Sequence, residues 1–119
     1  MKIMLVDDSK TARGMIRSVL ASEGVEVVEF ADGQEALAGF IAHRPDLVLM
    51  DLEMKEVDGF EGTRRIKAQF PEARIVILTS FNDEFMKAAA LEAGASGYVL
   101  KDDLNRIRTM IKEGFRSET

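Results

Sequence analysis

The chain has 119 residues, 46% of them apolar and 31% charged, with a net charge of −5 and no cysteine. That length buries one hydrophobic core and is too short for two, and no apolar run approaches the roughly 20 residues that cross a bilayer. The missing thiols exclude a disulfide framework, a thiolate zinc site and redox cysteine chemistry, while the negative balance without a basic block argues against direct nucleic-acid binding.

One soluble domain over residues 1–119 is therefore expected, with no membrane partner. The segment Met1-Lys2-Ile3-Met4-Leu5-Val6 runs straight into acids and lacks the length and cleavage site of a secretory signal, so the expected location is cytoplasmic.

Taken in chain order, the first apolar run, Ile3 to Val6, predicts a strand. A helix follows, with Ser9 or Lys10 at its start, Ala12, Met15, Ile16, Val19 and Leu20 on one face and Gly24 beyond its end. Val25 to Phe30 predicts the second strand, and Ala36, Leu37, Phe40 and Ile41 mark the second helix. Leu47 to Met50 is the third strand, followed by a helix carrying Phe60, Ile66 and Phe70 and stopped by Pro71. After the strand Ile75 to Leu78 comes a helix with Phe85, Met86, Ala89, Leu91 and Ala93 before Gly94. The last unit pairs Tyr98 to Leu100 with Leu104, Ile107, Ile111 and Phe115, leaving a polar tail, Arg116 to Thr119.

Strands that are apolar on both faces and alternate with helices point to an α/β fold with a parallel sheet covered on both sides. Gly14, Gly39 and Gly114 fall inside predicted helices, each at a cost of about 1 kcal/mol relative to Ala, and the sequence supplies no reason for them.

Ligands of such sheets sit beyond the carboxyl ends of the strands. Asp7 and Asp8 follow the first strand, Asp51 the third, Thr79 and Ser80 the fourth, and Lys101 the fifth. Any one of these acids can be read as an N-cap. Three together are another matter, because carboxylates about 4 Å apart repel by roughly 4 kcal/mol at an effective dielectric of 20. Converging acids call for a hard cation with oxygen ligands, and an open site suits Mg²⁺ better than Ca²⁺, which takes more ligands. Mg²⁺ with a carboxylate, a hydroxyl and an amine is the equipment of phosphoryl transfer. No glycine-rich phosphate cradle occurs, so a bound nucleotide is not expected, and a carboxylate nucleophile forming an aspartyl phosphate is.

Leu5-Val6-Asp7-Asp8, Arg44-Pro45-Asp46-Leu47-Val48-Leu49-Met50-Asp51-Leu52-Glu53-Met54, Asp58-Gly59, Ile77-Leu78-Thr79 and Ala93-Gly94-Ala95-Ser96-Gly97-Tyr98-Val99-Leu100-Lys101 together resemble the successive motifs of response-regulator receiver domains, over essentially the whole chain. The resemblance implies a flavodoxin-like receiver fold of five strands in the order 2-1-3-4-5. The residues alone support only the convergence of the first and third strands. It further implies that Asp51 is phosphorylated by a sensor histidine kinase or phosphotransfer protein. Asp8 and Asp51 would ligate Mg²⁺ directly, Asp7 largely through water, and Glu53 through its backbone carbonyl. Thr79 would bond a phosphoryl oxygen, and Lys101 would pair with the phosphoryl group or with Asp51. Tyr98 would change rotamer as a switch, unless it is simply a strand aromatic packed on a helix.

Two departures stand out. Lys55 and Asp102 occupy positions where the family commonly has proline, so Lys101-Asp102 is expected to be trans. His43, the only histidine, is expected to be solvated, and the seven methionines to fill the core. Glu53 and Phe81 are expected to flank the path of an attacking water.

Three functions follow. The first is a stand-alone, phosphorylation-dependent switch that binds a downstream protein target, as a monomer or a phosphorylation-dependent dimer, and catalyses only its own phosphorylation and dephosphorylation. The second is the regulatory receiver half of a DNA-binding transcription factor. The third is a Mg²⁺-dependent aspartyl-phosphate phosphatase, which Asp7-Asp8-Ser9 disfavours because those enzymes place a second acid two residues after the nucleophile.

Overall fold

The computed structural model describes residues 1–54 and 57–113. Its five strands, β1 (Lys2–Val6), β2 (Glu26–Phe30), β3 (Leu47–Asp51), β4 (Ile75–Thr79) and β5 (Gly97–Leu100), form one parallel sheet in the order β2-β1-β3-β4-β5. The helices are α1 (Lys10–Leu20), α2 (Ala36–His43), α3 (Gly59–Gln69), α4 (Glu84–Ala93) and α5 (Asn105–Lys112). The expected α/β architecture and strand order are thus present. No described helix is long and apolar enough to cross a membrane.

Strand pleating sends alternate residues to opposite faces, and both faces are dry. Met4, Val6, Val48, Met50, Ile75 and Ile77 pack with Ala36, Phe40, Ile66 and Ala90, which places α2, α3 and α4 on one side. Ile3, Leu5, Leu47, Leu49, Val76, Leu78 and Val99 pack with Ile16, Leu20 and Ile107, which places α1 and α5 on the other. The register aligns Val6 with Met50, so the next residues, Asp7 and Asp51, emerge level with each other at the switch point between β1 and β3.

Several helix faces differ from those predicted. Met15, Ile41, Phe85 and Leu91 are exposed, Phe85 at 89%. In α4 the inward stripe is Met86, Ala90 and Ala93, with helical spacing of four and three; Phe85 and Leu91 lie off that stripe despite their hydrophobicity. His43 is half-buried, its ring centroid 5.9 Å from that of Phe30, because the end of α2 packs over β2.

The same approach explains Gly39, where a Cβ would stand 2.6 Å from the Phe30 ring. Gly14 faces open space and nothing in the structure explains it. Lys55, Gly114, Phe115 and the polar tail lie outside the described residues.

Candidate functional site

The helix caps are not the acids of the cluster. Ser9 Oγ accepts from Ala12 N–H, Asp58 Oδ1 from Glu61 N–H, and Asp83 Oδ1 from Phe85 and Met86 N–H, so α1, α3 and α4 are capped without Asp8 or Asp51. Asp7 Oδ1 accepts from Ser9 N–H at 2.9 Å, a turn contact that leaves its other oxygen facing Asp51 and Lys101.

The predicted strand boundaries shift by one residue at two of these positions. Asp51 and Thr79 are the last residues of β3 and β4 rather than the first after them, because Leu52 N–H still bonds Leu78 O and Lys101 N–H still bonds Thr79 O. Both side chains are consequently buried, at 1% and 0% exposure.

The site gathers Asp7, Asp8, Asp51, Glu53, Thr79 and Lys101. Lys101 Nζ lies 2.7 Å from Asp51 Oδ1 and 3.6 Å from both Asp7 Oδ2 and Glu53 Oε2. Asp7 Oδ2 is a buried acceptor with no hydrogen-bond donor, and Asp51 Oδ1 has the Lys101 ammonium as its partner. Glu53 Oε1 accepts from the Thr79 hydroxyl at 3.1 Å and from Ser80 N–H at 3.2 Å. From Thr79 a chain of bonds leads outward: Phe81 N–H donates to Thr79 Oγ1 at 3.1 Å, and the Tyr98 hydroxyl donates to Phe81 O at 2.6 Å. Tyr98 is thus tied to the loop after β4 as well as packed as a strand aromatic. The Phe81 side chain is half-exposed beside this loop.

Burial is the main cause that pushes the Asp51 carboxyl up to about 7, with Asp7 adding to it and Lys101 opposing it. Burial raises Glu53 too, but Ser80 N–H, the Thr79 hydroxyl and Lys101 outweigh it and hold the carboxyl below its ordinary value. For Lys101, burial acts downward and is overcome by Asp51, Asp7 and Glu53, so the ammonium is raised.

One carboxylate oxygen from each of Asp7, Asp8 and Asp51 lies within 4.8 Å of the others, with Asp8 exposed at the mouth. Oxygen-only ligands, a buried Asp7 oxygen without a hydrogen-bond donor and an open side fit a hard divalent cation. The Lys101–Asp102 bond is trans, as expected without proline.

Sequence reasoning missed three supports of this site. Arg13 Nη1 donates to the Asp7 carbonyl at 2.6 Å, and its Nε pairs with Glu29 Oε1 at 3.1 Å, which anchors the β1–α1 loop to the end of β2. Only the topology brings Glu29 there. The Glu53 side chain, as distinct from its carbonyl, was also not assigned these partners. The third is Gly59, where a Cβ would stand 2.5 Å from the Asp51 carbonyl oxygen and 2.9 Å from Leu52 Cα. These are backbone atoms that cannot swing aside. Gly59→Ala is therefore expected to push the start of α3 off the acceptor strand and destabilise the fold by about 1–3 kcal/mol; urea unfolding measures it, and wild-type stability would show that the helix start yields freely.

Residues 3–112 match the family described as response regulator receiver domain. The chain is 44% identical over 104 residues to an uncharacterized transcriptional regulatory protein, YhcZ, of Bacillus subtilis, covering 86% of this chain and 49% of that protein. It is 42% identical over 102 residues to the response regulator protein VraR of Staphylococcus aureus, covering 84% and 49% respectively. The chain spans about half the length of these curated relatives. Among solved structures, a two-component response regulator of the LuxR family from Aurantimonas sp. superposes with a TM-score of 0.89 at 38% identity, over 96% of this chain and 84% of that one. With the strand order, the strand-end acids and the family match in agreement, this chain belongs to the response regulator receiver domains of two-component signalling.

Proposed function

We propose that residues 1–119 form one receiver domain in which Asp51 accepts a phosphoryl group from a sensor histidine kinase or phosphotransfer protein and thereby switches a protein-binding surface in the cytoplasm. The observation that carries this reading is the buried Asp51 carboxylate at a strand end, beside a second acid and 2.7 Å from the Lys101 ammonium. Burial among fixed groups pre-pays the cost of orienting the nucleophile. Asp8 and Asp51 would hold Mg²⁺ directly, with Asp7 acting largely through water and the Glu53 carbonyl as a further ligand. Bound there, Mg²⁺ supplies neutralisation of phosphoryl oxygens. Lys101 contributes the second positive charge, and the Thr79 hydroxyl donates to a phosphoryl oxygen. The domain catalyses only its own modification and is otherwise a signalling element.

Incubation with acetyl phosphate and Mg²⁺ tests the reading. A gain of about 80 Da that is labile to base and maps to the peptide containing Asp51 is expected. An adduct stable to base, or mapped to a serine or threonine, would overturn it.

Thr79 is the proposed link to the output surface, because its hydroxyl has a phosphoryl partner in one state only, and a switch requires such a differential contact. Through Phe81 it reaches Tyr98, whose rotamer change reports the switched state. Thr79→Ala is expected to accept phosphate yet show weak amide shifts over residues 81 to 98. Shifts equal to wild type would break the link.

The relatives' names support a second reading for the natural protein: a regulatory receiver half joined to a DNA-binding output domain, in which the receiver itself does not touch nucleic acid. The reading frame after Thr119 decides it: a linker and a basic helix-turn-helix would support this reading, a stop codon the first.

A further inference from the structure

Glu53 places a second carboxylate inside the site. Its Oε1 accepts from the Thr79 hydroxyl and Ser80 N–H, at 3.1 and 3.2 Å, and its Oε2 lies 3.6 Å from Lys101 Nζ. Thr79 and Lys101 are the donors assigned above to the incoming phosphoryl oxygens. A carboxylate and a phosphoryl group are both oxyanions, and the single proton of the Thr79 hydroxyl serves one of them at a time. The donors are fixed: Thr79 is fully buried and Lys101 is anchored by two acids. The Glu53 side chain, at 34% exposure, sits at the rim with solvent on one side. Of the two partners, only the carboxylate is free to leave.

We infer that Glu53 is an internal competitor for the phosphoryl site, whose carboxylate occupies the Thr79, Ser80 and Lys101 donors in the resting state and must swing out before a phosphoryl group is bound. The inference rests on Asp51 as acceptor. In the step that Glu53 gates, an Asp51 carboxylate oxygen forms a bond to phosphorus while the phosphorus–oxygen bond to acetate breaks, the electron pair leaving with acetate. Charge and atoms balance without a proton. The resting contact also holds Thr79 in the arrangement that ties it to Phe81 and Tyr98, so displacement of Glu53 and the switch become one event.

Two substitutions separate occupancy from charge. Glu53→Ala removes all three contacts, whereas Glu53→Gln keeps an oxygen for Thr79 and Ser80 and loses only the ion pair with Lys101. The rate of adduct formation from acetyl phosphate, and the concentration of beryllium fluoride giving half-maximal thermal stabilisation, are measured for both variants at fixed Mg²⁺. Glu53→Ala is expected to react about tenfold faster and bind the fluoride about tenfold tighter, the factor that 1.4 kcal/mol carries. Glu53→Gln should fall between Ala and wild type. Equal gains in Gln and Ala would show that charge alone acts and overturn the competition for Thr79 and Ser80. No gain in Ala, with the adduct still absent from Asp51→Asn, would overturn the inference while sparing the acceptor. An adduct that persists in Asp51→Asn would overturn the acceptor assignment and the inference with it.

Discussion

Asp51→Asn is expected to lose the base-labile adduct completely and, without metal, to be more stable than wild type at pH 7. The first outcome follows from chemistry, since an amide oxygen is too weak a nucleophile to form the acyl phosphate. The second follows from linkage. The Asp51 carboxyl is raised to about 7 in the folded protein, so between its ordinary value and 7 the native state binds a proton that the unfolded chain has released. The stability this group contributes is present at low pH and is lost as pH rises through 7. The span corresponds to about 4 kcal/mol at 1.36 kcal/mol per pKa unit, a net figure in which the opposing Asp51–Lys101 pair is already counted. Urea unfolding in chelator across this range checks it. The advantage of Asp51→Asn over wild type should be near zero at about pH 4 and grow by on the order of 1–4 kcal/mol toward neutrality. A variant less stable than wild type at pH 7 would mean that the ion pair, not desolvation, dominates the site.

Added Mg²⁺ is expected to stabilise wild type, and Asp8→Ala is expected to remove most of that gain. A ligand that binds only the native state adds about 2.7 kcal/mol when present at a hundred times its dissociation constant. Asp8 is the exposed acid of the cluster, so its loss costs no buried packing and leaves Lys101 with its three carboxylate neighbours. Relief of repulsion should also raise the metal-free melting temperature of Asp8→Ala slightly. Thermal melts with chelator and with Mg²⁺ supply both numbers. Equal metal shifts in the two proteins would exclude Asp8 as a main ligand.

The strands and the order of the acids along the chain are legible in the sequence. Strands buried on both faces produce unbroken aliphatic runs, and a polar residue that ends such a run must stand at the sheet edge. That reasoning located Asp7, Asp51, Thr79 and Lys101 to within one residue of their strand ends. Helix faces were less legible. The inward side of α4 is built from Ala90 and Ala93, small enough to allow close packing, while the larger Phe85 and Leu91 point outward. Hydrophobicity in a helix does not state which stripe a neighbouring sheet will cover. Gly39 and Gly59 looked like helix weaknesses or motif letters until Phe30 and the Asp51 backbone filled the space where a Cβ would stand.

By itself, then, the sequence determined the fold class, the edge of the sheet that carries the chemistry and the residue types present there, because burial and alternation are local patterns. The tertiary structure alone decided who pairs with whom. Lys101 meets Asp51 and Asp7 because β3 stands between β1 and β4 with β5 beyond, and Arg13 meets Glu29 because β2 stands at the edge beside β1. The Glu53 carboxylate lies on Thr79 and Ser80 for the same reason: β3 and β4 are neighbours, and contact between residues 26 and 27 positions apart is a property of strand order that no local pattern encodes.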